Sequence, residues 1–143
     1  MPVPPEGFRH GVPIEIRFAD LDSLAHLNNA KYLTYMEQAR VRYFRELGLW
    51  DKTPSREGLI LAKATLDFKL PLGLDDKIMV YTRVKRLGNK SMDSEQQIIR
   101  QDGAVAAFAT VVLVVYNYEA NASIRIPDRW RAVLTEYEPG LRR

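Results

Sequence analysis

"AKYLTYMEQARVRYFRELGL", Ala30 to Leu49, is the stretch that organises the chain. Tyr32, Tyr35, Met36, Ala39, Tyr43, Phe44 and Leu47 recur at steps of three and four, which puts them on one face of a helix. Asn28 or Asn29 can cap its start, and Gly48 can cap its end. From Asn29 to Leu47 such a helix rises roughly 28 Å, enough to cross a small domain. The bulk of its tyrosines read as core packing.

Outward from this helix the pattern changes to period two. Upstream, "VPIEIRF", Val12 to Phe18, alternates after Pro13 and reads as a first strand. Residues 1–10, with three prolines and a glycine, read as a loose arm. Downstream, "TPSREG" reads as a turn region, and four strand candidates follow it. In Leu59–Leu70, Leu66, Phe68 and Leu70 point one way, and a break of phase near Leu61 suggests a bulge. Lys77–Leu87 and Ser91–Arg100 flank a turn at Gly88–Lys90, and the "QDG" turn at Gln101–Gly103 leads into Ala104–Tyr118. That last strand is apolar on both faces toward its end, as a central strand would be. Pro127 opens a short C-terminal helix over 127–138, with Trp130, Val133, Leu134 and Tyr137 on one side. No repeat or linker interrupts the 143 residues, so one domain, 1–143, is expected. One helix cannot cover both faces of five strands, so self-association is expected as well.

Composition narrows the chemistry. The chain is 46% hydrophobic and 27% charged, within the globular range. It has no cysteine, which excludes disulfides, thiolate nucleophiles and cysteine-held metal centres and agrees with a cytoplasmic setting. The longest apolar run, Ala104–Tyr116, is shorter than the ~20 residues of a membrane helix, and the amino terminus lacks the pattern of a secretory signal. A net charge of +3 is too mild and too dispersed to argue for nucleic acid, although it suits an anionic ligand.

"FADLDSLAHLNN", Phe18 to Asn29, precedes the helix and gathers two acids, a histidine and two asparagines. Several familiar sites do not fit it. The aspartate pair of a haloacid-dehalogenase phosphatase needs a doubly wound parallel sheet. A calcium loop needs glycine and glutamate where Ala25 and Lys31 stand. A metal on Asp20, Asp22 and His26 would lack a second histidine, since His10 falls in the expected arm. A Ser23–His26 nucleophile lacks the elbow glycines.

The segment Phe18–Arg40 resembles the hotdog-fold acyl-CoA thioesterases of the 4-hydroxybenzoyl-CoA thioesterase type. Asp22, His26, Leu27, Asn28, Asn29, Tyr32, Glu37, Ala39 and Arg40 match that family's pattern, and the likeness extends over roughly Ile14–Tyr116. The resemblance implies an α+β hotdog fold, a long central helix wrapped by a curved antiparallel five-stranded sheet. It also implies a homodimer or homotetramer with each active site between subunits, and hydrolysis of an acyl-CoA thioester to a free acid and coenzyme A. No metal or other cofactor is implied.

Carried over residue by residue, the catalytic carboxylate falls on Asp22, as nucleophile or as base for water. The oxyanion donor falls on the backbone N–H of Asn29, a group that a helix start leaves free. His26 and Asn28 would position water or the carbonyl. Asp20 is expected to pair with Arg17, and Glu37 to be structural. Tyr32 and the apolar Leu59, Ile60 and Leu61 are candidate lining of the acyl site, while Arg83, Arg86 and Lys90 are candidates for the nucleotide phosphates. Ala25 departs from the family's usual glycine and bears on whether the site turns over or only binds. Two other readings stay open: a thioesterase for acyl groups on acyl-carrier protein, and a non-catalytic hotdog protein that binds acyl-CoA.

Overall fold

The computed structural model describes residues 3–50 and 57–142. The long helix, α1, spans Asn29–Glu46. The side chain of Asn28 caps it by accepting from the Ala30 N–H at 2.9 Å, an arrangement worth about 1 kcal/mol. Gly48 ends it with φ at +75°, a conformation that glycine adopts without penalty. Five strands form an antiparallel sheet: β1 (His10–Ile14), β2 (Glu57–Phe68), β3 (Ile78–Leu87), β4 (Ser91–Arg100) and β5 (Val105–Asn117). Their order is β1-β3-β4-β5-β2, so β1 and β2 are the outer strands of this run. Among the described residues a sixth strand of two residues, β6 (Ala122–Ser123), pairs with the end of β5, one short strand beyond the five expected. A second helix, α2, spans Asp128–Tyr137.

The helix stripe meets the sheet in two apolar clusters. Toward the N-terminal end of α1, Tyr32, Tyr35, Met36 and Ala39 pack with Val12, Val80, Ile98, Ala107 and Ala109. Toward its C-terminal end, Tyr43 and Phe44 pack with Val84, Met92 and Leu113, and Trp130 and Leu134 of α2 close that cluster. Burial of these side chains supplies the main driving force that holds α1 to the sheet. Arg40 lies on the same buried stripe, where Gln96 accepts from its guanidinium at 3.1 Å. Gln96 in turn donates to the Met36 carbonyl (2.7 Å) and the Thr82 hydroxyl (3.0 Å), so Arg40 and Gln96 under the helix are both partnered. The β2–β5 register slips between Leu61 and Lys63, the bulge expected near Leu61.

Two expectations are corrected at the amino-terminal side. The first strand is His10–Ile14, not Val12–Phe18, because its partner β3 begins opposite Ile14, at Ile78. Beyond that pairing the chain coils into a 3-10 turn at Phe18–Asp20. Pro13 is tolerated because β1 is an outer strand. Nor is the segment before β1 a loose arm. Phe8 is buried against Tyr81 and Ile99, with the Arg83 guanidinium 4.4 Å from its ring centre, and His10 is itself in β1. Prolines and a glycine signalled absence of regular structure, which does not preclude packing. The turn expected at Thr53–Gly58 lies mostly outside the described residues, as do residues 1 and 2 of the expected arm.

Candidate active site

The loop before α1 is built around Asp20. Its carboxylate is buried and accepts from Arg17 at 3.0 and 3.2 Å and from the Tyr35 hydroxyl at 2.6 Å, with Lys31 at 3.8 Å. The bonds from Arg17 and then Tyr35 hold its pKa down at about 2, against the desolvation that works the other way. The pairing of Asp20 with Arg17 is the structural role its spacing suggested. The Asp20 carbonyl accepts from the Asn28 N–H at 2.9 Å, and Leu27 is buried with its N–H on the Leu72 carbonyl at 2.7 Å. Both ends of the loop are therefore fixed.

Between those ends Asp22 makes a tight turn. Its Oδ1 accepts from the backbone N–H groups of Leu24 (2.9 Å) and His26 (3.2 Å), and its own N–H reaches the His26 carbonyl at 2.7 Å. Oδ2 has no partner among the described residues. Ala25 takes φ of +62° within this turn. A left-handed alanine costs roughly 1 kcal/mol, and it is tolerated here because Asp22 binds the backbone on either side. The glycine usual in the family would sit at this angle without strain.

Asp22, His26, Asn29 and Tyr32 line one cleft of about 240 Å³ together with Leu27, Phe68, Lys69, Leu70 and Pro71. Tyr32 is buried, donates to the Leu70 carbonyl at 3.1 Å and stacks edge-on to Phe68 at 5.1 Å, so its ring rather than its hydroxyl is on offer. The first N–H groups of α1 divide unequally. The Ala30 N–H goes to Asn28 Oδ1 and the Lys31 N–H to the Asn28 carbonyl. The Asn29 N–H has no acceptor among the described residues. No acidic residue occupies the first turn of α1 to offset the positive end of the helix dipole. Two residues that border the cleft thus keep an uncommitted polar group among the described residues, a carboxylate oxygen on Asp22 and the helix-end N–H of Asn29.

Other expected site residues lie elsewhere. Asn28 serves as the helix cap. Leu59, Ile60 and Leu61 lie along β2 opposite Val115, Val114 and Leu113. From Leu61 to Phe68 is seven residues, roughly 23 Å of strand, so within one chain they do not reach the Asp22 cleft. Arg83 and Lys85 are both held by Glu95, at 2.6 and 3.2 Å, and Arg86 is 3.7 Å from Asp93. Lys90 sits in the β3–β4 turn, with no ion pair among the described residues. These cations therefore stand apart from the cleft, and three of the four are already balanced. Glu37 is exposed two turns beyond Asn29. The walls contributed by Phe68–Pro71 were not foreseen as lining. Phe68 and Leu70 share a face in the alternation, but it is long-range contacts, Leu27 with Leu72 and Tyr32 with Phe68 and Leu70, that bring that strand end to the start of α1.

No helix among the described residues is long and apolar enough to cross a membrane. Residues 16–134 match the model of the thioesterase-like superfamily. The acyl-CoA thioesterase YbgC of Haemophilus influenzae is 28% identical over 91 residues, 62% of this chain and 67% of that protein. The acyl-acyl carrier protein thioesterase ATL2 of Arabidopsis thaliana is 25% identical over 134 residues, 90% of this chain and 70% of that protein. Among solved structures, a thioesterase from Thermus thermophilus, complexed with coenzyme A and Zn, superposes with a TM-score of 0.82 at 33% identity. The match covers 94% of this chain and 98% of that one. With five-sixths of its length inside the family model and its long helix seated on an antiparallel sheet, the chain belongs to the thioesterase-like superfamily.

Proposed function

We propose that the protein is an acyl-CoA thioesterase that hydrolyses its substrate to a carboxylic acid and coenzyme A, with Asp22 as nucleophile or general base and the Asn29 N–H as oxyanion donor. The observation that carries this reading is that Asp22, whose Oδ2 has no partner among the described residues, and Asn29, whose N–H has none among them either, border the same cleft. A thioester carbonyl approached by an oxygen nucleophile gathers negative charge on its oxygen. A fixed N–H at the positive end of a helix lowers the energy of that charge without having to reorganise. Water is consumed overall: its hydroxyl ends on the acyl carbon as the carbon–sulfur bond breaks, and its other proton ends on the coenzyme A sulfur. His26 borders the same cleft, which supports assigning it the orientation of water or the carbonyl.

The complete site takes two copies of the chain. β2 is a long outer strand with Ile60, Leu61 and Phe68 exposed, and Leu33 of α1 is exposed as well. An open apolar edge of this length favours pairing with a second copy. About a two-fold axis β2 runs antiparallel to its mate, so the Leu59–Leu61 end of one subunit falls beside the Phe68–Leu70 end of the other. The residues read as acyl lining then join the cleft from the partner. A dimer, with further pairing to a tetramer, in the cytoplasm where acyl-CoA is made and consumed, is the setting we propose.

A second reading has its own support. The likeness to ATL2 spans nine-tenths of this chain, and an acyl group on acyl-carrier protein arrives on the same pantetheine arm. The non-catalytic reading rested on Ala25, and the intact turn around that alanine weakens it. A panel of acyl-CoA and acyl-carrier-protein thioesters, with release of free thiol followed, tests all three. Turnover of acyl-CoA that is lost in Asp22→Asn supports the proposal. Faster turnover of the protein-bound thioesters favours the second reading, and binding with no turnover anywhere on the panel defeats both.

A further inference from the structure

We infer that Asp20 and Tyr35 are positioning residues for this reaction, holding the two groups that act on the thioester in register; the inference rests on the hydrolase reading above. Asp20 stands two residues before Asp22, and its carbonyl receives the N–H of Asn28, the residue before the oxyanion donor. Its carboxylate receives the Tyr35 hydroxyl at 2.6 Å from the second turn of α1 and Arg17 from the start of the loop, with Lys31 3.8 Å away. One buried residue therefore ties the root of the Asp22 turn to the first two turns of the helix that presents Asn29. Asp22 is exposed and leans only on main-chain N–H groups of its own turn, so it has no direct tie to α1.

An apolar side chain could also fill this place. It would pack on Tyr35 without the desolvation that an ionised carboxylate suffers on burial. What the carboxylate adds is direction: charge-assisted hydrogen bonds from fixed donors define one distance between loop and helix where apolar contact tolerates many. A misplacement of ~1 Å between catalytic groups is enough to cost about 10²-fold in rate.

The test compares Tyr35→Phe with Tyr43→Phe. The second variant removes an equally short hydrogen bond, also to a buried carboxylate, at the other end of the same helix, where Tyr43 donates to Glu138 at 2.6 Å. Steady-state thiol release from the best acyl-CoA of the panel is measured per folded molecule, with hydrogen exchange at the Asn28 amide as a second readout. Tyr35→Phe is expected to lower kcat about tenfold with KM within about twofold, and Asp20→Asn to lower kcat further. Tyr43→Phe is expected to keep kcat. The Asn28 amide is expected to exchange about tenfold faster in Tyr35→Phe alone. Unchanged kcat and Asn28 exchange in Tyr35→Phe, or equal losses in the two tyrosine variants, would overturn the inference. An Asp22→Asn protein that keeps wild-type kcat would instead bring down the assignment of Asp22, and binding without turnover in the unsubstituted protein would bring down the hydrolase reading itself.

Discussion

The two ends of α1 use the same device for different ends. At each, a tyrosine of the helix donates a 2.6 Å hydrogen bond to a buried carboxylate: Tyr35 to Asp20 near the start, Tyr43 to Glu138 near the finish. Around Asp20 stand Arg17 and Lys31, and the carboxyl is held down at about 2. Around Glu138 the hydrogen-bond donors are Tyr43 and the Val84 N–H, both neutral, and burial pushes its pKa above the usual carboxylate range. The first arrangement keeps a charge fixed beside an open cleft. The second docks the C-terminal helix on the core and leaves little exposed. A charge that is matched by cations can sit next to solvent and order a loop, whereas an unmatched carboxyl under a helix works as a latch.

Removal of either carboxyl sharpens that contrast. Glu138→Ala strands the buried Tyr43 hydroxyl and the Val84 N–H and should cost about 3 kcal/mol in urea unfolding, with kcat per folded molecule unchanged. Asp20→Ala should cost less, about 2 kcal/mol, because Arg17 and Lys31 are exposed enough to return to water, yet it should depress turnover strongly. Equal effects of the two variants on turnover would break the comparison.

The pH dependence of stability should differ in sign. Asp20 is more acidic folded than unfolded, so its contribution is in full above its ordinary value of 3.8 and fades as pH falls through about 2. Glu138 is less acidic folded than unfolded. Its contribution is therefore greatest below 4.5 and declines as pH rises from there through its raised pKa. Urea midpoints between pH 2 and 7 should show a shallower acid-side fall in Asp20→Asn, since Asp76, Glu95 and Asp102 still contribute to it, and a shallower decline above pH 4.5 in Glu138→Gln.

Smaller effects belong to the loop alone. Asn28→Ala should cost about 1 kcal/mol through the lost helix cap. Ala25→Gly relieves the left-handed alanine and should raise stability by a few tenths of a kcal/mol, about 1 kcal/mol at most, without loss of turnover. A clear loss of stability in Ala25→Gly would show that the methyl group is packed rather than tolerated.

Local pattern made α1 and the strands readable. Steps of three and four named Tyr32, Tyr35, Met36 and Tyr43 as one face, and those residues are buried. The pattern did not reveal Arg40 on that face, because a charged residue enters a stripe only when a partner such as Gln96 lies opposite, 56 residues away. The Asp22–His26–Asn29–Tyr32 group was legible since it lies within eleven residues, which a loop and one helical turn bring together. Phe68–Pro71 joins it through long-range pairing that periodicity does not encode. The hairpin cations illustrate the converse: Arg83, Lys85 and Arg86 cluster in sequence, but Glu95 and Asp93 on the neighbouring strand balance them.

The most direct test of the central claim is free-thiol release from acyl-CoA by Asp22→Asn. Asparagine keeps an acceptor for the Leu24 and His26 N–H groups, so the turn and the melting temperature should hold. The account predicts that kcat falls by about 10² or more while acyl-CoA still binds. Turnover near the wild-type rate from a folded Asp22→Asn protein would contradict it.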